Sequence, residues 1–193
     1  MTLIVRLIIL YVRTAFSKHK MDIHTQHVMK FRVWITDHDM FQHMNNSRYF
    51  SVTDIALMNW MIETGLWRGL RKQDWTPMVV FKDSSYLRSL RFPEAYRIET
   101  QLIGWSGNYI IWRHEYRSRK NQLAAVVNTV GRVVAADGQH PSADDVVVRL
   151  GLDVAPSPDI PPIYRARLHQ LEVERGKRSD EPAHAHAKTG DNT

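Results

Sequence analysis

Between residues 37 and 46 the chain reads Asp37-His38-Asp39-Met40-Phe41-Gln42-His43-Met44-Asn45-Asn46. Carboxylates, imidazoles and carboxamides packed this closely are groups that can drive attack on a polarised carbonyl and hold its oxygen. A carboxylate can activate water as a general base or attack the carbon itself. A histidine can orient that carboxylate, hold the carbonyl oxygen or move a proton. The oxyanion that develops needs donors already in place. The first backbone N–H groups of a helix have no internal partner and sit at the positive end of its dipole. The segment can therefore do chemistry if a helix follows it. Each residue also has a plain structural use. Asp37 suits a turn or loop cap better than a catalyst. Asn45, Asn46 and Ser47 suit a helix N-cap. Asp39 and His43 could serve only to hold the loop.

The neighbouring elements decide whether this loop is well placed. Residues 27–37 alternate Phe31, Val33 and Ile35 with Lys30, Arg32 and Thr36, the period of a strand. From Arg48 to Thr64 there is no Gly or Pro, and Gly65 is placed to end a helix. Tyr49, Val52, Ile55, Ala56, Met58 and Trp60 spread apolar side chains around most of that helix. A helix apolar nearly all round is buried, but Thr53, Asp54, Asn59 and Glu63 interrupt it too often for a membrane span. Four strand-like runs follow, over Pro77–Phe92, Tyr96–Trp105, Asn108–Arg117 and Leu123–Ala135. Turn signals at Gly104–Asn108 and Ser118–Asn121 make the last strands antiparallel neighbours. The expected class is α+β: a single domain in which a curved antiparallel sheet wraps one long buried helix.

Composition bounds the rest. The chain has 193 residues, 44% hydrophobic and 24% charged, enough for one domain with tails. It has no cysteine, which excludes disulfides, thiolate metal sites and a cysteine nucleophile. His38, His114, His184 and His186 form no ligand set with other donors, so no metal is expected. The net charge of +6 comes largely from the ends. The expected organisation is a hydrophobic and basic segment at 1–22, the folded domain at 23–140, an extension with short helices and a Pro-rich linker at 141–175, and a disordered tail at 176–193. Within the first of these, Leu3–Val12 is apolar except for Arg6 and is followed by Arg13, Lys18 and Lys20. Ten helical residues span roughly 15 Å, too short to cross a bilayer. The flanking cations fit a helix lying in a membrane surface, or one docked on this protein or a second copy.

The order Asp37-x-Asp39-x-x-x-His43-Met44-Asn45-Asn46-x-x-Tyr49 resembles the hotdog-fold acyl-CoA thioesterases. That branch includes 4-hydroxybenzoyl-CoA thioesterase and the plant acyl-carrier-protein thioesterases. Tyr86–Phe92 and Leu102–Trp105 are similar to the family's second and third strands, and the resemblance covers roughly residues 27–137. The hydrophobic N-terminus also resembles the thioesterase-superfamily member 6 subgroup. The resemblance implies hydrolysis of acyl-CoA or acyl-carrier-protein thioesters. It implies Asp39 as catalytic base or nucleophile, supported by His43 and Asn45. Asn46, Tyr49 and Phe41 would line the substrate. Phe41 stands where the plant branch has Asn, so its Asp-Asn-His form is not carried over. No His-Gly-Gly loop is present, which leaves Asp54 and Glu63 as weaker acids.

Hydrolysis needs no cofactor. The family dimerises, so at least a homodimer is expected, in the cytoplasm, with the N-terminus available to a membrane. Arg88, Arg91, Arg117 or Lys120 could meet the CoA phosphates, or be solvated charges. Two other readings stay open: an enoyl-thioester hydratase, and a non-catalytic hotdog protein that binds acyl groups or a partner. A nucleic-acid partner is not expected, because no such motif is present.

Overall fold

The computed structural model describes residues 21–149 and 157–179. The expectations for the N-terminal apolar segment, the linker around Pro156 and the final tail lie outside the described residues, wholly or in part. The chain divides into two compact units, one up to Asp159 and one from Ile160.

In the first unit the elements follow as β1 (His27–Arg32), a short 3-10 turn (Ile35–Asp37), α1 (Asn46–Glu63), α2 (Leu66–Lys72), β2 (Thr76–Tyr86), β3 (Ala95–Ser106), β4 (Tyr109–Ser118), β5 (Leu123–Val134) and α3 (Ala143–Arg149). The five strands form one antiparallel sheet in the order β1-β3-β4-β5-β2. This is the expected hotdog arrangement, with α1 packed along the sheet. In the second unit, α4 (Pro162–Ser179) begins in the extension expected to carry short helices and runs four residues into the segment expected as a disordered tail.

Tertiary contacts changed three local expectations. The first strand stops at Arg32 because the Asp37 carboxylate accepts the Trp34 N–H and draws the chain into a turn. Ile35, expected on a buried face, is 65% exposed there. The second strand ends at Tyr86 rather than Phe92. Beyond it, the Leu87 and Arg88 N–H groups both donate to the Ala124 carbonyl, and Leu90 turns into the core. Finally, α2 had not been expected. Leu66 and Leu70, spaced i, i+4, give it a buried side.

The core forms two clusters along α1. Near its start, Val52 and Ala56 pack with Val33, Tyr96, Ile98 and Tyr116. Near its end, Leu57, Trp60 and Met61 pack with Leu70, Trp105 and Trp112. Fully burying one large apolar side chain contributes about 1.5–3 kcal/mol, so burial on most sides of α1 is what holds it. The outward side of the sheet is polar by alternation. There Glu99 pairs with Arg97 and Arg117, and Glu115 with Arg113 and Arg117.

His114 is the exception on the inner face. It is fully buried, with Nδ1 3.0 Å from Thr100 Oγ1. Burial, aided by the Lys82 charge, pushes its pKa down to about 3 from an ordinary 6.5. The unfolded chain therefore takes up this proton below pH 6.5 while the fold refuses it until about pH 3. Stability is fully present above pH 6.5 and is lost as pH falls through that window. The slope for one such group is about 1.4 kcal/mol per pH unit. We expect urea unfolding to show a loss of about 2 kcal/mol between pH 6.5 and 5, and His114→Leu to flatten much of that slope. Equal wild-type stability at both pH values would contradict the assignment.

Candidate active site at the start of the buried helix

Two chain segments meet where α1 begins. The first is the loop from Asp37 to Asn45. Its outer part is a tight turn, in which the Asp39 N–H donates to the His43 carbonyl at 2.9 Å and the Gln42 N–H to the Asp39 carbonyl at 3.1 Å. Gln42 takes a left-handed conformation, with φ 61°. Asp39 Oδ1 accepts the N–H groups of Phe41 at 2.8 Å and His43 at 3.3 Å. Asp39 thus folds its own turn with one carboxylate oxygen. The second segment is the end of β2 and the chain after it. The Met44 N–H donates to the Leu90 carbonyl, and His43 forms a β-bridge with Arg91.

A cleft of about 260 Å³ lies between them, lined by Asp39, His43, Asn46, Tyr49, Tyr86 and Arg88, with Met44, Leu87 and Ser89 completing the wall. Asp39 and His43 are half-buried. The Tyr49 phenol is pushed up to about 12 by burial, opposed in part by a hydrogen bond from the Leu90 backbone. It is therefore a neutral hydroxyl at any working pH. Tyr86 packs edge-on against the Tyr49 ring and donates its hydroxyl to the Asn46 carbonyl at 3.3 Å. Arg88 makes a two-pronged pair with Glu94, at 2.8 and 3.3 Å.

Not every residue singled out in the sequence reaches the cleft. Asn45 caps α1: its Oδ1 accepts both the N–H and the hydroxyl of Ser47, at 2.9 and 2.8 Å. Phe41 lies at the tip of the turn, 71% exposed, and is not part of the wall. Asp37 is buried, and its carboxylate caps the Trp34 turn, as a structural residue would. Arg117 is tied to Glu99 and Glu115 on the outward side of the sheet. Among the cations considered for phosphates, Arg88 is the one in the cleft wall. Tyr86, Leu87 and Ser89 were not picked out as site residues. Their one signal was their place in the Tyr86–Phe92 segment of the family pattern.

The floor of the cleft is anchored by Tyr116. Its hydroxyl donates to the Tyr49 carbonyl at 2.7 Å and lies 2.8 Å from Thr53 Oγ1, which must then be the donor of that second bond. Burial drives the Tyr116 phenol well above its ordinary range, so it holds its proton for this role. Tyr116→Phe leaves two buried groups on α1 short of a partner. It should cost about 1–3 kcal/mol in denaturant unfolding. An unchanged midpoint would show that the anchor contributes nothing.

A hotdog sheet around a buried helix, with a polar loop at the helix start, defines a thioesterase-like architecture. A family profile described as "Thioesterase-like superfamily" matches residues 33–168. The chain belongs to that superfamily. Among curated proteins it is similar to Protein THEM6 of Danio rerio, 26% identical over 115 residues, covering 60% of this chain and 57% of that one. Protein THEM6 of Xenopus laevis is 28% identical over 91 residues, covering 47% and 44%. The chain thus matches about half the length of these relatives.

Among solved structures, the probable thioesterase YbaW of Escherichia coli superposes with a TM-score of 0.61 at 17% identity, covering 66% of this chain and 98% of that one. A mutant 4-hydroxybenzoyl-CoA thioesterase complexed with 4-hydroxybenzoyl-CoA gives 0.57 at 16%, covering 65% and 98%. At these identities the likeness is one of fold.

Proposed function

We propose that this protein hydrolyses acyl-CoA thioesters at the cleft where α1 begins. The observation that carries the reading is the convergence of Asp39, His43 and Asn46 on one cleft at a helix N-terminus. Asp39 Oδ1 serves the turn, and Oδ2 has no hydrogen-bond partner among the described residues. Oδ2 is the oxygen free to take a proton from water or to attack the carbonyl carbon. The Asn46 N–H opens the helix, also without a partner among the described residues, and suits the developing oxyanion. The His43 imidazole, in the same wall, orients the acyl group or passes the proton on. Collapse of the tetrahedral intermediate expels the CoA thiolate, which leaves as thiol after protonation; where Oδ2 is the nucleophile, water then hydrolyses the Asp39 acyl anhydride to the free acid. Arg88 stands in the wall where a CoA phosphate could draw it from Glu94. Asn45 acts indirectly, by holding the first turn of the helix. An acyl-carrier-protein substrate would need a protein-docking surface in addition to this cleft.

Asp39→Asn is a clean test because the carboxamide oxygen can still accept the Phe41 and His43 N–H groups. The variant should keep its melting temperature and lose about 10²–10⁴ in rate on acyl-CoA. Wild type that hydrolyses no acyl-CoA, or a variant as fast as wild type, would sink the proposal. Tight acyl-CoA binding without turnover would favour a non-catalytic binder instead.

A homodimer is part of the same reading. Among the described residues the sheet ends at β1 on one side and β2 on the other. Long edges such as β2 invite pairing with another strand. Light scattering should give twice the chain mass of 22.5 kDa; a monomeric mass would refute it. No helix among the described residues is long and apolar enough to cross a membrane. Peripheral membrane contact rests on the apolar and basic sequence at the N-terminus alone.

A further inference from the structure

The cleft is one of two hollows along a single seam, between α1 and the edge strand β2. The second is an apolar pocket of about 240 Å³. Leu57, Met58 and Met61 of α1 line it, with Met78 and Val79 of β2 and the Trp112 ring. Gly131 in its wall leaves that ring its room: a Cβ there would lie 3.0 Å from Trp112 Cζ3. On α1, Asn46, Phe50, Asp54, Leu57 and Met61 recur at helical spacing and so share one side. On β2, Tyr86, Ser84 and Lys82 alternate onto one face. That face looks at α1, because Tyr86 packs on Tyr49 and Lys82 reaches Asp54.

On α1, between the cleft residues and Leu57 of the pocket, stands an ion pair whose Asp54 itself lines the pocket, as does Arg132. Lys82 Nζ bonds Asp54 Oδ1 and lies 5.9 Å from the centre of the Phe50 ring. The Lys82 side chain is only 14% exposed, while that of Asp54 is 56% exposed. The ammonium is thus withdrawn into the seam, tethered at its solvent side. Its stem and charge occupy the line from the cleft to the pocket. An aliphatic chain advancing from the cleft would have to push a paired charge aside before it gained any apolar wall. From Tyr49 to Asp54 the helix rises roughly 7–8 Å, the reach of about six carbons.

We propose that the Lys82–Asp54 pair is a gate on acyl length, closing the apolar pocket to linear chains and making short or compact acyl thioesters the preferred substrates. This rests on the thioesterase reading above and adds a specificity device to it. The chain thereby carries an apolar pocket that its substrates do not use while the gate is shut.

The test compares butanoyl-CoA with dodecanoyl-CoA in wild type and in Lys82→Met. Methionine nearly keeps the length of the side chain, removes the charge and leaves Asp54 facing solvent. The ratio of kcat/KM for dodecanoyl over butanoyl should rise at least tenfold, because each methylene moved onto apolar wall is worth about fourfold. Asp54→Asn, which frees the ammonium to swing outward, should move the ratio the same way. Calorimetric titration with the non-hydrolysable thioethers S-butyl-CoA and S-dodecyl-CoA reads the gate without turnover. An unchanged affinity ratio in a folded variant overturns the gate, whatever the rates. A shifted affinity ratio in a protein that turns over neither thioester overturns the thioesterase reading and supports the gate. Failure of either protein to bind either thioether overturns both.

Discussion

Tyr116 places a fully buried hydroxyl between the Tyr49 carbonyl and the Thr53 hydroxyl, and the geometry at the start of α1 depends on that contact. A helix apolar on nearly every side has many similar ways to lie on an apolar sheet. Burial alone is non-directional and leaves rotation and sliding weakly specified. A buried hydrogen bond is directional, and a lost partner inside the core costs more than the bond contributes. By fixing the first turns of α1 to the middle of the sheet, Tyr116 also fixes Asn46 and Tyr49. The backbone bonds from Asn45 to Asp37 and from Met44 to Leu90 then bring the loop and the end of β2 to the same place.

This division of labour runs along the whole helix. Its first half carries the polar anchors and opens onto the cleft. Its second half is held mainly by packing of Trp60, Leu57 and Met61 against Trp112 and Leu70, with one side-chain bond to the sheet, from Asn59 Nδ2 to His27 Nε2 at 2.9 Å. An apolar pocket remains beside the second half, lined by Leu57, Met58 and Met61 and by the Trp112 ring. The sheet separates the two chemistries as well. Its inner face meets α1, while its outer face carries the Arg and Glu ladder, whose ion pairs are partly exposed and individually weak.

The loop shows how far residue type alone can be read. Asp39 and His43 were picked out by residue type and spacing, and both line the cleft. Asn45 was read as their support or as a helix cap, and Phe41 as a substrate contact; neither lines it. An Asn beside a helix start can turn inward or cap, and only the contact with Ser47 decides. Phe41 sits in a turn whose direction depends on the left-handed Gln42, a conformation its residue type does not announce. Asp37 and Asp39 could each have folded the loop. Both do so, Asp37 around Trp34 and Asp39 around its own turn, and the burial of Asp37 is what separates them.

The sequence by itself determined the period of each main element, the buried character of α1, the antiparallel order set by short turns, and membership of a thioesterase-like pattern. These depend on local stereochemistry and hydrophobic spacing, which are written residue by residue. The tertiary structure decided where β2 ends and that Tyr86 and Arg88 meet Asp39 at one cleft. It also placed Lys82 against Asp54. Those outcomes join residues far apart in the chain, and no local preference encodes which of several equivalent carboxylates a given charge will meet. The residue types of the Asp37–Asn46 loop can be read from the sequence, but its placement comes from its contacts with the Leu90 segment.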